Sequence, residues 1–196
     1  GGVGSDHIKV WDVSVDWAMP SSSSISSPYQ IAVSSFDSGF TGGWDNITQP
    51  GTSVKLDAVP EAFMFMASYR EFSSYNTMVM CHTVDVDNTN HAGIRWYELR
   101  QTAGANWTLY QEGTYAPDGD SRWLGSINMD KYGNIALAYC VSGVSTYPSL
   151  RYTGRYAGGQ LGEMHFLEQS AIEGSSSKSG DNRWGDYAQM TIDPSD

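Results

Sequence analysis

Apolar and polar residues alternate along this chain in short runs, and Gly, Asn, Asp and Ser bound the runs. A period of two, carried by β-branched and aromatic residues, marks strands. The pattern predicts strands over residues 7–17, 29–34, 63–69, 77–84, 93–100, 107–112, 122–130, 135–141, 149–156 and 164–168. No segment carries the capped i, i+3, i+4, i+7 stripe that a helix needs. The chain is therefore expected to be all-β.

The strands repeat as a group. Gly119-Asp120-Ser121-Arg122-Trp123 returns as Gly180-Asp181-Asn182-Arg183-Trp184, so that Trp184 lies 61 residues after Trp123. Cys81 and Cys140 are 59 apart, and Ile94-Arg95-Trp96 returns 56 residues on as Leu150-Arg151-Tyr152. A β-repeat of this size with four strands is the blade of a propeller. On this reading residues 1–50 form a partial blade, 60–115 one blade, 118–170 the next, and 180–196 the first strand of another. The fold expected is a partial β-propeller of about three four-stranded blades with an incomplete ring, since closed rings have roughly four to eight. A ring left open exposes sheet edges, so the missing blades are expected from the same precursor or from another chain. The alternative is a β-sandwich, which accounts for the strands but not for the repeat. The Ser-rich residues 21–27, and residues 39–50 and 174–180, read as loops.

Composition narrows the function. The 196 residues include 22 Asp+Glu against 11 Lys+Arg, a net charge of −11, which repels a nucleic-acid backbone. No apolar run approaches the roughly 18 residues of a membrane helix. Low Lys with abundant Ser, Thr, Gly, Tyr and Trp fits a secreted or cell-surface protein. Asn46-Ile47-Thr48 and Asn106-Trp107-Thr108 are glycosylation sequons. Cys81 and Cys140 read either as two buried free thiols or as one disulfide, because they hold equivalent places in adjacent repeats.

Three long strings carry a resemblance: Asp118-Gly119-Asp120-Ser121-Arg122-Trp123-Leu124-Gly125-Ser126, Tyr147-Pro148-Ser149-Leu150-Arg151-Tyr152-Thr153-Gly154-Arg155, and Asn182-Arg183-Trp184-Gly185-Asp186-Tyr187. They resemble a largely uncharacterised family of large secreted bacterial proteins described as sialidase-like or propeller-like. The resemblance implies export and a propeller, with no particular reaction. Ser35-Phe36-Asp37-Ser38-Gly39-Phe40-Thr41 is similar to the Asp-box turn of sialidases, with Gly42-Gly43 before Trp44 as a departure.

Two constellations could carry chemistry. Arg122-Trp123 and Arg183-Trp184 open successive first strands, each after an aspartate (Asp120, Asp181), with Asp186 and Tyr187 just beyond. An arginine fork and an indole face suit an acidic or glycan ligand at a channel mouth; the same residues could equally lock blade to blade. Asp85, Asp87 and Asn88 place oxygen atoms at close spacing, as calcium loops do, without the distal Glu of an EF-hand. A glycosidase would need two facing carboxylates, drawn from Glu61, Glu98, Asp120, Asp181 and Asp186. The opposite directions of neighbouring strand residues argue against a Cys81–His82 dyad. The leading expectation is a non-catalytic propeller segment that binds glycans or proteins. Part of a glycan-active hydrolase or lyase, and an assembly component of a surface fibre or complex, are the alternatives.

Overall fold

The computed structural model describes residues 5–60, 62–64 and 66–195. The chain is all-β, with four antiparallel sheets and none of them closed. A first four-stranded sheet runs β5 (Ser68–Glu71), β6 (Asn76–Asp85), β7 (Ala92–Gln101), β8 (Thr108–Tyr115), and a second runs β9 (Ser121–Met129), β10 (Ile135–Ser142), β11 (Ser149–Arg155), β12 (Gln169–Ile172), each in chain order. Before them lie two small sheets. β1 (His7–Val10) pairs with β4 (Tyr29–Ala32), and β2 (Val13–Ser14) pairs with β3 (Ser24–Ile25) as a hairpin.

Alternation decides what each face buries. On the first sheet, Cys81 pairs with Trp96 and Val79 with Glu98, so these share one face, while Met80–Tyr97 and His82–Arg95 share the other. The first face carries Val79, Cys81, Ile94 and Trp96 against Ile127, Met129, Ile135, Leu137 and Tyr139 of the second sheet. The other face carries Met80, Tyr97 and Leu99 against Ile8 and Ile31 of the β1–β4 pair. The layers therefore succeed one another in chain order, and each of these junctions is built from buried apolar side chains. A fully buried side chain of this size is worth roughly 1.5–3 kcal/mol.

The segment after β12 continues the succession. Residues 183–192 cross the outer face of the second sheet, where Met190 N–H donates to Ser126 Oγ at 2.7 Å and Asn128 Nδ2 donates to the Met190 carbonyl at 3.1 Å. Trp184 lies against Trp123, ring centroids 6.0 Å apart. Leu150, Tyr152 and Ile172 of the same outer face remain exposed.

Several expected strands shift. Residues 183–193 form no strand, because they lie over a sheet face and meet no neighbouring strand in register. The strand expected over 164–168 is instead β12 at Gln169–Ile172. The buried Arg155 guanidinium gathers the carbonyls of Gly159, Gln160 and Glu163, which holds the preceding residues as a loop. The strand expected over 63–69 begins at Ser68, and Phe65 lies outside the described residues. The long first strand is broken into β1 and β2, and the Ser-rich loop holds a 3-10 turn at Pro20–Ser22 and then β3.

Both cysteines are free and buried. A Cys81–Cys140 disulfide is not formed, for a topological reason. Cys81 belongs to the cluster between the two large sheets, whereas Cys140 points to the opposite side of the second sheet, among Ile47, Leu56 and Leu124.

Candidate functional site

The two Arg-Trp copies have different fates. Arg122 is fully buried. Its Nε donates to Glu168 Oε1 at 2.8 Å, and Nη2 donates to Glu168 Oε2 and Asp118 Oδ2. Nη1 donates to Asp118 Oδ1 at 2.7 Å and to the Asp120 carbonyl at 2.8 Å. All five N–H groups of the guanidinium are thereby used. Glu168 also accepts from Tyr139 Oη at 2.7 Å and from Arg151 Nη1 at 3.0 Å. Burial pulls the Glu168 carboxyl up, but the hydrogen bonds from Arg122 and Tyr139 outweigh it and hold the group below the usual range. Asp118 is held down by its bond to Arg122. Trp123 is buried too, and Asp120 accepts from Thr146 Oγ1 at 2.6 Å, which pins the β10–β11 turn. Arg122 and Trp123, both without exposed surface, are thus architectural and out of reach of a ligand, while Asp120 is part-buried and spends one carboxylate oxygen on Thr146.

The second copy is at the surface. Arg183 is half exposed, with Nε donating to Asp186 Oδ2 at 2.8 Å and Nη1 to Asp57 Oδ2 at 3.0 Å. The Asp186 contact, ahead of the more distant Asp57, raises its pKa. Asp181 accepts from Lys178 Nζ at 2.5 Å and from the Arg183 amide at 3.0 Å, and sits below the usual carboxylate range, first because of Lys178. Asn182 Nδ2 donates to the Trp44 carbonyl at 2.9 Å and to Asp45 Oδ1 at 3.2 Å. These contacts gather two loops around a depression of about 420 Å³ lined by Asp45, Lys55, Asp181 and Asn182. Two aromatic side chains stand out from these loops, Trp44 at 62% exposure and Tyr187 at 97%. Asp181, Arg183, Asp186 and Tyr187 lie on this surface segment, while Trp184 turns inward onto Trp123. Trp44, Asp45 and Asp57 join them from a loop that the repeat did not mark.

The Asp85–Asn90 turn spends its oxygens on itself. Asp85 accepts from the amides of Asp87 and Asn90, and Asp87 Oδ1 accepts from Thr89 N–H and Oγ1. Thr89 is also the first cause of the lowered Asp87 pKa. Asn88, like Asn90, takes the left-handed conformation (φ 63° and 65°), which Asn tolerates better than most residues. Among the described residues, no group of three or more His, Cys, Asp or Glu is placed to hold a metal ion. The Asp85 and Asp87 carboxylates, expected with Asn88 to hold calcium, serve here as acceptors within the turn itself. Of the glycosidase carboxylates, Glu61 lies outside the described residues. Glu98 is buried and accepts from Thr77, Arg100 and Gln111, so it ties β6, β7 and β8 together. Ser35–Thr41, the Asp-box-like string, bridges Asp37 to Asp85, with the Asp85 amide donating to the Asp37 carbonyl at 2.7 Å.

A second concavity was not visible in the sequence. On the face of the first sheet opposite the second sheet, His82 Nε2 lies 3.0 Å from Tyr97 Oη, with the two ring planes parallel to within 4° and their centroids 5.7 Å apart. Phe36 and Phe63 stand near-perpendicular to His82, at centroid distances of 4.8 and 5.2 Å. Burial, ahead of the nearby Arg95 charge, lowers the His82 pKa to about 4. Only the strand register could have signalled this site, by placing His82, Arg95 and Tyr97 on one face.

Comparison with known proteins returns no match: no family model, no curated protein and no solved structure is similar to this chain. Among the described residues, no helix is long and apolar enough to cross a membrane.

Proposed function

We propose that the chain is part of a secreted or cell-surface propeller, in which the two four-stranded sheets are consecutive blades and a binding surface lies around Arg183. Three features support the radial arrangement. Both large sheets are four-stranded meanders in chain order. The pair Arg95–Glu112 on the first recurs as Arg151–Glu168 on the second, both members 56 residues on. The segment 183–192 then lies on the second sheet much as β9 lies on the first. The exposed Leu150, Tyr152 and Ile172 are the surface that a following blade would cover, whether it comes from the same precursor or from another chain.

The ligand we infer is a neutral glycan, and the protein acts as a binder with no catalytic step of its own. The observation that carries this is the state of Arg183. Asp57 and Asp186 already neutralise it, with Asp45 and Asp181 alongside, so a carboxylate-bearing ligand meets repulsion. Hydroxyl groups, in contrast, find acceptors in the carboxylates and donors in Arg183 and Asn182. Trp44 and Tyr187 supply flat apolar faces of the kind that sugar rings stack on.

A glycan array with the wild-type protein and the Tyr187→Ala, Trp44→Ala and Arg183→Ala variants tests the reading. Neutral oligosaccharides should be retained, and the aromatic variants should lose about fivefold to tenfold in affinity, roughly the 1–1.5 kcal/mol of one aromatic contact. Retention of acidic glycans alone, or variants that bind like wild type, would refute it.

A further inference from the structure

We infer that the arm formed by residues 11–28 is a self-association surface, and that its apolar face packs on the same face of a second copy of this chain about a two-fold axis. This uses neither the propeller reading nor the surface around Arg183.

The sequence carries the first observation. Residues 11–17 read Trp11-Asp12-Val13-Ser14-Val15-Asp16-Trp17, the same in both directions about Ser14. Odd positions are apolar and even positions polar, which sorts the two kinds onto opposite faces of an extended chain. Val13 pairs with Ile25 and Ser14 with Ser24, so Ile25 joins the apolar face. Nearer the body, Ile8 pairs with Ile31, and both are buried against the first sheet. Between these two pairings Trp11 and Asp12 stand opposite Ser26, Ser27 and Pro28, and the extra residue switches the parity of the return strand. Val13 lies five positions after Ile8, so by alternation the face it shares with Ile25 is opposite to the one that Ile8 and Ile31 bury.

Every residue from 11 to 28 is exposed. Trp17 is 88% exposed, Ile25 66% and Val13 65%. With Trp11 and Val15 they present on the order of 600 Å² per copy, at the top of the roughly 300–600 Å² that the largest apolar patch of a monomer reaches. Two such faces together approach the roughly 1,200 Å² at which specific interfaces begin. A lone two-stranded hairpin is marginal in water and gains stability by burying a face.

A palindromic face is its own complement. A two-fold axis at Ser14 brings the Trp11 end of one copy to the Trp17 end of the other, and Val13 to Val15, as an isologous contact requires. Asp12 and Asp16, at even positions, then stand away from the junction. Asp16 is already spent on its own turn, where Oδ1 accepts from the Ala18 and Met19 amides at 2.9 and 2.8 Å. Edge-to-edge pairing of the same strands would set Asp12 against the Asp16 of the other copy, a like-charge pair, and leave the apolar face in water. Faces therefore meet, not edges. A bilayer suits the arm less well, because no Lys or Arg lies between Lys9 and Lys55 to meet anionic head groups. Each copy carries a net charge of −11, so association works against a repulsion that salt screens.

Sedimentation velocity of the full chain across the micromolar range is the test. The wild type should pass from monomer to dimer as concentration rises, and the dimer should tighten about threefold or more from low to high salt. Val13 and Trp17 belong to none of the three buried clusters, so Val13→Ser and Trp17→Ser should melt like wild type yet weaken the dimer about tenfold or more. Ser24→Ala, on the polar face, should dimerise like wild type. Amides of residues 12–26 should exchange fast in the dilute monomer and more slowly as the dimer fills. A chain that stays monomeric throughout the range would overturn the inference, as would a dimer unchanged in both the Val13→Ser and Trp17→Ser proteins. A monomer that floats with phosphatidylcholine vesicles would give the face to a bilayer and overturn it as well.

Discussion

A side-chain carbon added at Gly185 would stand 2.3 Å from the sulfur of Cys140. The same arrangement exists one layer earlier, where a carbon at Gly125 would stand 3.1 Å from the sulfur of Cys81 and 3.0 Å from Ile94 Cγ2. In each case a cysteine on the second strand of a large sheet fits against a glycine of the next layer. On β9 a bulge makes this fit: Trp123 pairs with Cys140 and Ser126 with Ala138, so Leu124 and Gly125 together oppose Tyr139, with Leu124 at φ 51°. Gly185, in the next copy, has φ 81°.

Gly125→Ala and Gly185→Ala should both destabilise the fold, by about 1–3 kcal/mol each from overpacking. Gly185→Ala should cost more, because its left-handed backbone adds strain. Cys81→Ala in the Gly125→Ala background should recover part of the loss, as a double-mutant cycle in urea unfolding would reveal. Additive losses would mean that the sulfur and the glycine do not share a contact.

Arg122→Met should be among the most damaging single changes. It leaves Glu168 with one arginine in place of two and removes both guanidinium bonds to Asp118; loss of one partner from a buried pair costs roughly 3–5 kcal/mol. Arg183→Met, exposed at the surface, should cost under about 1 kcal/mol. Urea midpoints of the two variants make the comparison, and equal losses would contradict the burial assigned to Arg122.

The buried imidazole makes stability depend on pH. His82 titrates near 4 in the native state against an ordinary 6.5, so between those values the unfolded chain holds more protons. Its contribution is fully present above about pH 6.5 and drains as the pH falls toward 4, by up to roughly 3 kcal/mol at about 1.4 kcal/mol per unit. The charged and titratable neighbours that bear on it are Arg95, Tyr97, His7 and Asp6. His82→Gln should flatten the stability profile in this window, and the wild-type His82 ring resonances should show no titration at pH 6–7. A midpoint near 6.5 would be incompatible with the enclosure described.

Neither thiol should react in the native protein. Burial pushes both Cys81 and Cys140 up to about 12, with Asp186 adding to the effect at Cys140. A thiol reagent such as 5,5′-dithiobis(2-nitrobenzoic acid) should therefore count no sulfhydryl at pH 8 and two after denaturation. Rapid modification of the folded protein would be the contrary result.

The β2–β3 hairpin should open first. Its strands are two residues long, and Trp11, Val13, Val15, Trp17 and Ile25 stay exposed along it, so little holds it beyond local bonds such as Asp16 N–H to Ser23 Oγ. Limited proteolysis should cut near the Pro20–Ser22 turn before any other site, and amides of residues 12–26 should exchange fastest. A first cut inside β6 or β10 would refute this ordering.

Much of the fold was legible because alternation and repetition are local signals. The six strands β6 to β11 fall where Val, Ile, Tyr and Trp alternate with polar residues. What the sequence could not convey was pairing. Arg122-Trp123 and Arg183-Trp184 are nearly the same words, yet the first lies in a strand beside β10 and the second lies over a sheet face. Burial followed the same divide: Glu168 and Asp118 converge on Arg122 from 46 residues downstream and four upstream, so one copy of the motif became structure and the other stayed at the surface. The aromatic concavity joins residues from four separate segments and has no sequence signature.

The cysteine–glycine seam also bears on how such a protein can grow. Because two successive junctions use the same pair of small groups, duplicating a layer there would require no invention of new contact chemistry. Copy number could drift over evolutionary time while each such junction kept the tolerances of its predecessor.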